Sequence, residues 1–274
     1  MNHPMTTMLH ETVEMPMHGL GVFQTPDGDE AINAVYWALE EGYRLVDTAT
    51  IYHNEAGVGE GIRRSGLPRD DVFITTKLWN SDQGYEPALA ALDTSLDLMR
   101  LDHVDLYLIH WPNPELTTET WRALEHLQTQ GRARAIGVSN FKPHHLDQLM
   151  STANVAPAVN QVELHPSLQQ HETRAANGEL GTVTQAWSPI KQGRILDDPV
   201  IVSIAESLDV TPAQVVLRWQ LDEGIATIPK SVRRDRIREN GDVFGFTLPD
   251  ADIEAVRALD IGDRIGPDPD TFEG

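Results

Sequence analysis

Four side chains able to do acid–base chemistry occur in order along the chain: Asp47, Tyr52, Lys77 and His110. Each stands at or just past the end of a short apolar run. Residues 43–47 end on Asp47, 72–77 on Lys77 and 104–110 on His110, and Tyr52 follows Asp47 by five positions. A phenol of ordinary pKa, near ~10, donates its proton slowly at neutral pH. A nearby ammonium lowers such a pKa by roughly one to three units. Lys77 is the candidate for that role, with Asp47 holding it charged and in place. His110 is placed to hydrogen-bond a substrate oxygen and orient it. The set suits delivery of a proton to a carbonyl oxygen as negative charge develops there. Taken singly, the residues have plainer roles: Asp47 capping a turn, Tyr52 as a loop aromatic, His110 satisfying backbone groups. A lysine at a buried strand end is harder to explain away, because burying it idly costs free energy.

Further polar residues end the later runs. Ser139 and Asn140 close the fifth and Gln161 lies in the sixth. Together they suit a planar carboxamide; the alternative is turn closure and polar packing. Trp187 is either a core residue or a flat platform for a ring. Residues 230–240 carry five bases and two acids and run from a strand end into a helix start. That is a natural anion site, unless the charges pair internally on a solvated helix face. Gly57, Gly59 and Gly61 imitate a dinucleotide fingerprint, but their spacing is wrong and the preceding strand ends ten residues earlier. His144 with His145, and His165 with His171, lack a metal-binding pattern with carboxylates, so no metal is expected.

The elements that must position these residues alternate. Residues 15–23 predict an N-terminal hairpin running into a first strand. Later strands are expected at 43–47, 72–77, 104–110, 133–140, 158–163, 182–188 and 225–231. A helix near 28–41 follows from Ile32, Val35, Tyr36 and Leu39 at helical spacing, with Gly42 as its stop. Thr211, Pro212 and Gln214 predict a capped helix start. A last helix is expected over 250–259. Strand–helix alternation implies a parallel sheet. Eight such units favour an α/β fold of the (β/α)8 TIM-barrel type as a single domain over 1–274, with an irregular tail from about 262. In such barrels the C-terminal strand ends form the site, and here those ends carry the polar residues just named.

Composition narrows the partners. The 274 residues contain no cysteine, which removes disulfides and thiolate chemistry. No apolar run reaches membrane-spanning length, and the N-terminus does not read as a signal peptide, so a cytoplasmic protein is expected. Forty-two acids oppose 21 bases, for a net charge of −21. Such a surface repels nucleic acid and anionic membrane. Self-repulsion of that size is tolerable where salt screens it, which points to a salt-adapted, halophilic source; an ordinary acidic protein is the alternative.

The chain resembles the aldo-keto reductase family over nearly its whole length. The resemblance rests on 42–49, 52–55, 76–79, 109–112, 137–141, 160–163, 186–189, 228–231 and 236–240. Trp187, and Val232 after Ser231, are most similar to the 2,5-diketo-gluconate reductase branch. The resemblance implies NADPH-dependent reduction of a small-molecule aldehyde or ketone, without a Rossmann fold. It implies Tyr52 as general acid, Asp47 and Lys77 as its tuners, and His110 as the carbonyl orienter. Trp187 would stack on the nicotinamide, with Ser139, Asn140 and Gln161 on its carboxamide. Ser188, Ile190, Lys191 and Gln192 would line the pyrophosphate path. Lys230, Ser231, Val232 and Arg236 would hold the 2′-phosphate, and Glu239 and Asn240 the adenine. Phe23, Trp79 and Trp111 are expected as an apolar rim favouring small aldehydes or keto sugars. A monomer is expected. Two competitors stand beside this reading: an NADPH-binding redox sensor with little turnover, and a glycosidase using Asp47 and Glu163.

Overall fold

In the computed structural model, residues 5–272 are described. An antiparallel hairpin, β1 (Thr6–Leu9) and β2 (Val13–Pro16), precedes an eight-stranded parallel sheet. The sheet strands are β3 (Leu20–Gly21), β4 (Leu45–Asp47), β5 (Phe73–Leu78), β6 (Val104–Ile109), β7 (Ala133–Ser139), β8 (Val159–Glu163), β9 (Val183–Trp187) and β10 (Ala226–Thr227), each paired with the next in sequence. Parallel bridges His18–Thr227 and Gly21–Lys230 join the last strand to the first and close the barrel.

The helices fall between the strands and after the last. They are α1 (Asp29–Glu40), α2 (Glu55–Ser65), α3 (Tyr85–Met99), α4 (Thr117–Thr129), α5 (Pro143–Met150), α6 (His171–Glu179), α7 (Pro199–Leu208), α8 (Pro212–Asp222), α9 (Arg234–Gly241) and α10 (Asp250–Arg257). The expected α/β barrel is therefore present. Among the described residues no single helix is long and apolar enough to cross a membrane.

Strands of such a barrel are buried on both faces, which is why they read as continuous apolar runs. Every residue of β5 and β6 is buried. Leu45, Leu106, Leu108, Ala135, Val159 and Ile228 belong to one apolar cluster, whereas Val46, Ile74, Tyr107, Ile109 and Val138 belong to a second shared with the helices. This alternation is the period-two geometry of a strand. Thr211 accepts from Gln214 N–H while the Gln214 side chain caps Thr211 N–H, the predicted capping box.

Two expectations need correction. The hairpin spans Thr6–Pro16, not 15–23, a range of which only the first two residues, Met15 and Pro16, belong to β2. Its turn places His10 and Glu11 at φ 45° and 61°. Left-handed turns ordinarily advertise themselves by glycine or asparagine, and this one does not. The eighth strand is only Ala226–Thr227, where 225–231 was expected. Pro229 has no N–H to give the ladder, so pairing resumes only at the Lys230 bridge.

The three glycines of the false fingerprint lie on α2, where they serve close packing. A Cβ at Gly59 would sit 2.2 Å from the carbonyl oxygen of Met99, and one at Gly61 would sit 2.7 Å from Cβ of Val35.

Buried His18 packs 5.0 Å from Tyr43, centroid to centroid. Burial lowers its pKa from 6.5 to about 4, with the Asn240 backbone opposing. The folded state therefore keeps His18 neutral while the unfolded chain protonates it below pH 6.5. Its contribution is complete above that pH and fades as pH falls towards 4. Urea unfolding at pH 7 and pH 5 should show wild-type protein losing roughly 2 kcal/mol more than the His18→Gln variant. Identical losses would refute the assignment.

Candidate active site

The acid–base residues converge because their strands end side by side. Asp47 ends β4, Lys77 lies one residue inside the end of β5, and His110 follows β6. Tyr52 ends a single 3-10 turn, Thr50–Tyr52, just beyond β4. That turn is pinned to the barrel. Thr50 Oγ1 donates to the Lys77 carbonyl at 2.9 Å. Asn54 donates to the Val22 and Thr25 carbonyls, both at 2.9 Å, and accepts from Thr48 Oγ1 at 2.7 Å.

Lys77 is the centre of the site and is wholly buried. Its Nζ donates to Asp47 Oδ1 at 2.6 Å, to the Thr48 carbonyl at 2.8 Å and to Tyr52 Oη at 3.4 Å. An ammonium has three donors, and all three are used. Burial works to lower the Lys77 pKa, but Asp47 and Tyr52 outweigh it and leave it raised. Burial pushes Asp47 up, against the pull of Lys77 and of the Gln161 amide. The pair is thus an ion pair with a firmly charged lysine.

Tyr52 departs from expectation. Its pKa is raised, first by burial and then by the Asp47 charge, and Lys77 offsets only part of this. The phenol therefore keeps its proton at neutral pH. His110 is held neutral, its pKa well below the usual value through burial and then the Lys77 charge. Its ring lies 5.7 Å from the Tyr52 ring and 5.1 Å from Trp79, both edge-on. Among the described residues, buried Nδ1 of His110 has no hydrogen-bond partner.

A second polar group adjoins the first. Asn140, left-handed at φ 66°, donates through Nδ2 to the His110 carbonyl at 3.0 Å and to Ser139 Oγ at 3.1 Å. Its Oδ1 accepts from Trp187 Nε1 at 2.8 Å. Ser139 Oγ donates to the Gln161 carbonyl at 2.7 Å. Gln161 Nε2 donates to Asp47 Oδ2 and to Gln185 Oε1, both at 2.7 Å. Sequence reasoning missed Gln185. It lies two residues before Trp187, and strand periodicity alone puts it on the same face.

After β9 the chain turns sharply. Ser188, Lys191 and Gln192 have φ of 49°, 50° and 54°. Non-glycine residues held in this region carry a backbone cost that the surrounding structure must offset. Lys191 is buried and tied to Ser167 Oγ at 2.8 Å and to Asp263. Ile190 is half-buried and Gln192 exposed.

The basic run divides into paired and unpaired charges. Arg233 pairs with Asp235, Arg234 with Glu40 and Glu41, and Arg238 with Glu41. Among the described residues, Lys230 and Arg236, both exposed, have no carboxylate partner. Ser231 and Asn240 are buried, with Val232 and Glu239 partly so. Ser231 Oγ accepts from Arg233 N–H at 3.1 Å just before α9. The internal-pairing alternative thus accounts for three bases and leaves two.

Phe23 lies 5.0 Å from the Tyr52 ring and Trp79 lies 5.1 Å from the His110 ring, with Trp111 next to His110 in the chain. A residue not foreseen joins them. Phe272 lies 4.3 Å from Trp111 and 6.2 Å from Trp79. The tail is irregular but fastened: Lys142 Nζ binds Asp268 and Asp270, each at 2.6 Å. His144, His145 and Asp270 cluster beside that bond. His145 Nδ1 already accepts from Lys142 N–H at 3.1 Å, so the cluster reads as part of the fastening. Glu163, the second carboxylate of the glycosidase reading, is fully buried under tail amides.

A strand-end tyrosine beside a buried lysine–aspartate pair, on a closed parallel barrel, has relatives. The profile described as Aldo/keto reductase family matches residues 18–261. The chain belongs to the aldo/keto reductase family. It is 51% identical over 265 residues to a protein named glyoxal reductase from Bacillus subtilis (strain 168), covering 97% of this chain and 96% of that one. It is 50% identical over 267 residues to 9,11-endoperoxide prostaglandin H2 reductase of Trypanosoma cruzi (strain CL Brener), covering 96% and 94%. A crystal structure of a Gox0644 mutant in complex with NADPH superposes with a TM-score of 0.94 at 44% identity, covering 99% of each chain.

Removing one member of a buried ion pair leaves the other uncompensated, at a cost of about 3–5 kcal/mol. Lys77→Met should therefore destabilise the protein strongly in urea unfolding. The double variant Lys77→Met with Asp47→Asn should recover most of that loss. If the double is no more stable than the single, the pair is not the mutual support described.

Proposed function

We propose that this reductase converts small aldehydes and ketones to alcohols with NADPH, using Tyr52 as the general acid. The carrying observation is Tyr52 Oη within 3.4 Å of an ammonium that Asp47 holds charged. The chain fits the cofactor. Two unpaired cations, Lys230 and Arg236, flank the start of α9 and suit a 2′-phosphate. Ser231 and Val232 lie between those cations, and Glu239 and Asn240 near the end of α9 suit an adenine. Ser139, Asn140 and Gln161 group beside the Trp187 indole and suit a carboxamide and its ring. Ser188, Ile190, Lys191 and Gln192 form the sharp turn assigned to the pyrophosphate.

When bound, NADPH supplies the hydride that reaches the carbonyl carbon. The residues manage the oxygen. His110, neutral, donates a hydrogen bond to it and sets its orientation. Tyr52 keeps its proton until negative charge gathers on that oxygen, then passes it over. Lys77 stabilises the phenolate left behind, and solvent restores the proton. The aromatic rim limits water and favours compact substrates such as dicarbonyls or keto sugars. Similarity to a glyoxal reductase supports that substrate class, and Trp187 with Val232 supports the 2,5-diketo-gluconate reductase branch. The charge of −21 with only four lysines supports a salt-adapted source; a cytoplasmic, monomeric protein belongs to the same reading.

The test follows loss of reduced-nicotinamide absorbance in molar KCl with a panel of small aldehydes and keto sugars. Tyr52→Phe should lose turnover by about 10²-fold or more while still binding NADPH; near wild-type turnover would refute its role. Arg236→Ala should weaken NADPH about tenfold and leave NADH nearly unchanged; an equal effect on both would refute the phosphate assignment. Activity undiminished after prolonged storage in dilute buffer would contradict salt adaptation.

A further inference from the structure

The tail turn at 263–266 lies against Trp187, and one buried carboxylate holds it there. Glu163 ends β8 and stands in register with Trp187 of β9. Its side chain is 0% exposed. Oε1 accepts from Ile265 N–H at 2.7 Å and faces His165 Nε2 at 3.1 Å. Oε2 accepts from Gly266 N–H at 3.0 Å and from the Arg264 guanidinium at 3.4 Å. Burial would raise the Glu163 pKa, but the bonds from His165 and the two tail amides leave it lowered. Only a carboxylate offers acceptors on both oxygens. A glutamine here would set an N–H against one of the tail amides.

The turn so held touches the indole. A Cβ added to Gly266 would lie 2.3 Å from Cη2 of Trp187 and 3.0 Å from Oε2 of Glu163. The backbone there fits flush against the far edge of the six-membered ring. At its other edge the indole is fixed by the Nε1 bond to Asn140 Oδ1, at 2.8 Å. Trp187 is therefore gripped from both sides, by Asn140 directly and by Glu163 through the tail.

We infer that Glu163 is a positioning residue for cofactor binding: through the tail turn at Gly266 it sets the indole plane of Trp187 against which the nicotinamide lies. This rests on the nicotinamide reading of Trp187 given above. It assigns a task to a carboxylate that touches neither substrate nor the acid–base group. It also makes the tail part of the cofactor platform as well as of the substrate rim.

The experiment titrates wild type, Glu163→Gln and Gly266→Ala with NADPH and with 2′,5′-ADP, which carries the phosphate and adenine ends without nicotinamide. The readouts are Kd and the emission of the bound reduced nicotinamide. In both variants the NADPH Kd should rise about tenfold, the scale of one or two hydrogen bonds to a charged acceptor. The emission should change, and the 2′,5′-ADP Kd should stay as in wild type. Unchanged NADPH affinity and emission in Gly266→Ala overturn the inference, as does equal weakening of both ligands. Should Glu163→Gln fail to fold, Gly266→Ala decides alone. Wild-type protein that binds NADPH no better than 2′,5′-ADP and leaves its emission unaltered would refute the nicotinamide reading itself.

Discussion

A charged ammonium inside a barrel must recover several kcal/mol of lost hydration. Lys77 does so with three acceptors drawn from three places: the Asp47 carboxylate, the Thr48 carbonyl and the Tyr52 phenol. Each acceptor is then constrained in turn. Asp47 is steadied by Gln161, and Gln161 by Gln185. Tyr52 sits on a turn tied back to the Lys77 carbonyl. Burial first, and then this positive charge, lowers the His110 pKa and keeps that imidazole neutral. One solvation requirement thus fixes the positions of the acid–base group, while burial is the larger influence on the protonation states of Tyr52 and His110.

Barrel closure makes this economical in chain. Asp47, Lys77 and His110 come from three consecutive strands, each paired with the next. No long connection is needed to gather them. The turns beyond the strands are free to adopt unusual backbone. Asn140, Ser188, Lys191 and Gln192 are all left-handed without being glycine. Buried hydrogen bonds hold them in place, from Asn140 to the His110 carbonyl and from Lys191 to Ser167, which is how local strain is sustained at a site.

Much of this was legible in the sequence because the barrel is repetitive and buried. Continuous apolar runs betray strands buried on both faces, and polar residues at their ends betray the site face. Lys77 was the most informative residue, since an idle buried lysine is costly. The sign of the Tyr52 shift was not legible. It depends on how deeply the phenol is desolvated against how near the ammonium lies, and spacing reports neither. The hairpin was expected but misplaced, because His10 and Glu11 take left-handed turn positions without the usual residues. Phe272 and the role of Glu163 escaped because the tail has no periodicity, and its contacts span about a hundred residues of chain.

The unpaired Lys230 and Arg236 have a consequence at long range. They are a small positive island on a molecule of net charge −21. A multiply anionic dinucleotide approaching from a distance meets repulsion from the whole, and feels the island only within a Debye length of roughly 10 Å at 0.1 M salt. Ionic strength then acts on capture in two opposed ways. It quiets the far field, which speeds encounter, and it weakens the contact once made. Where a protein's overall charge attracts its anionic ligand, salt slows arrival; here salt screens a net repulsion, so it speeds arrival while shortening the life of the contact.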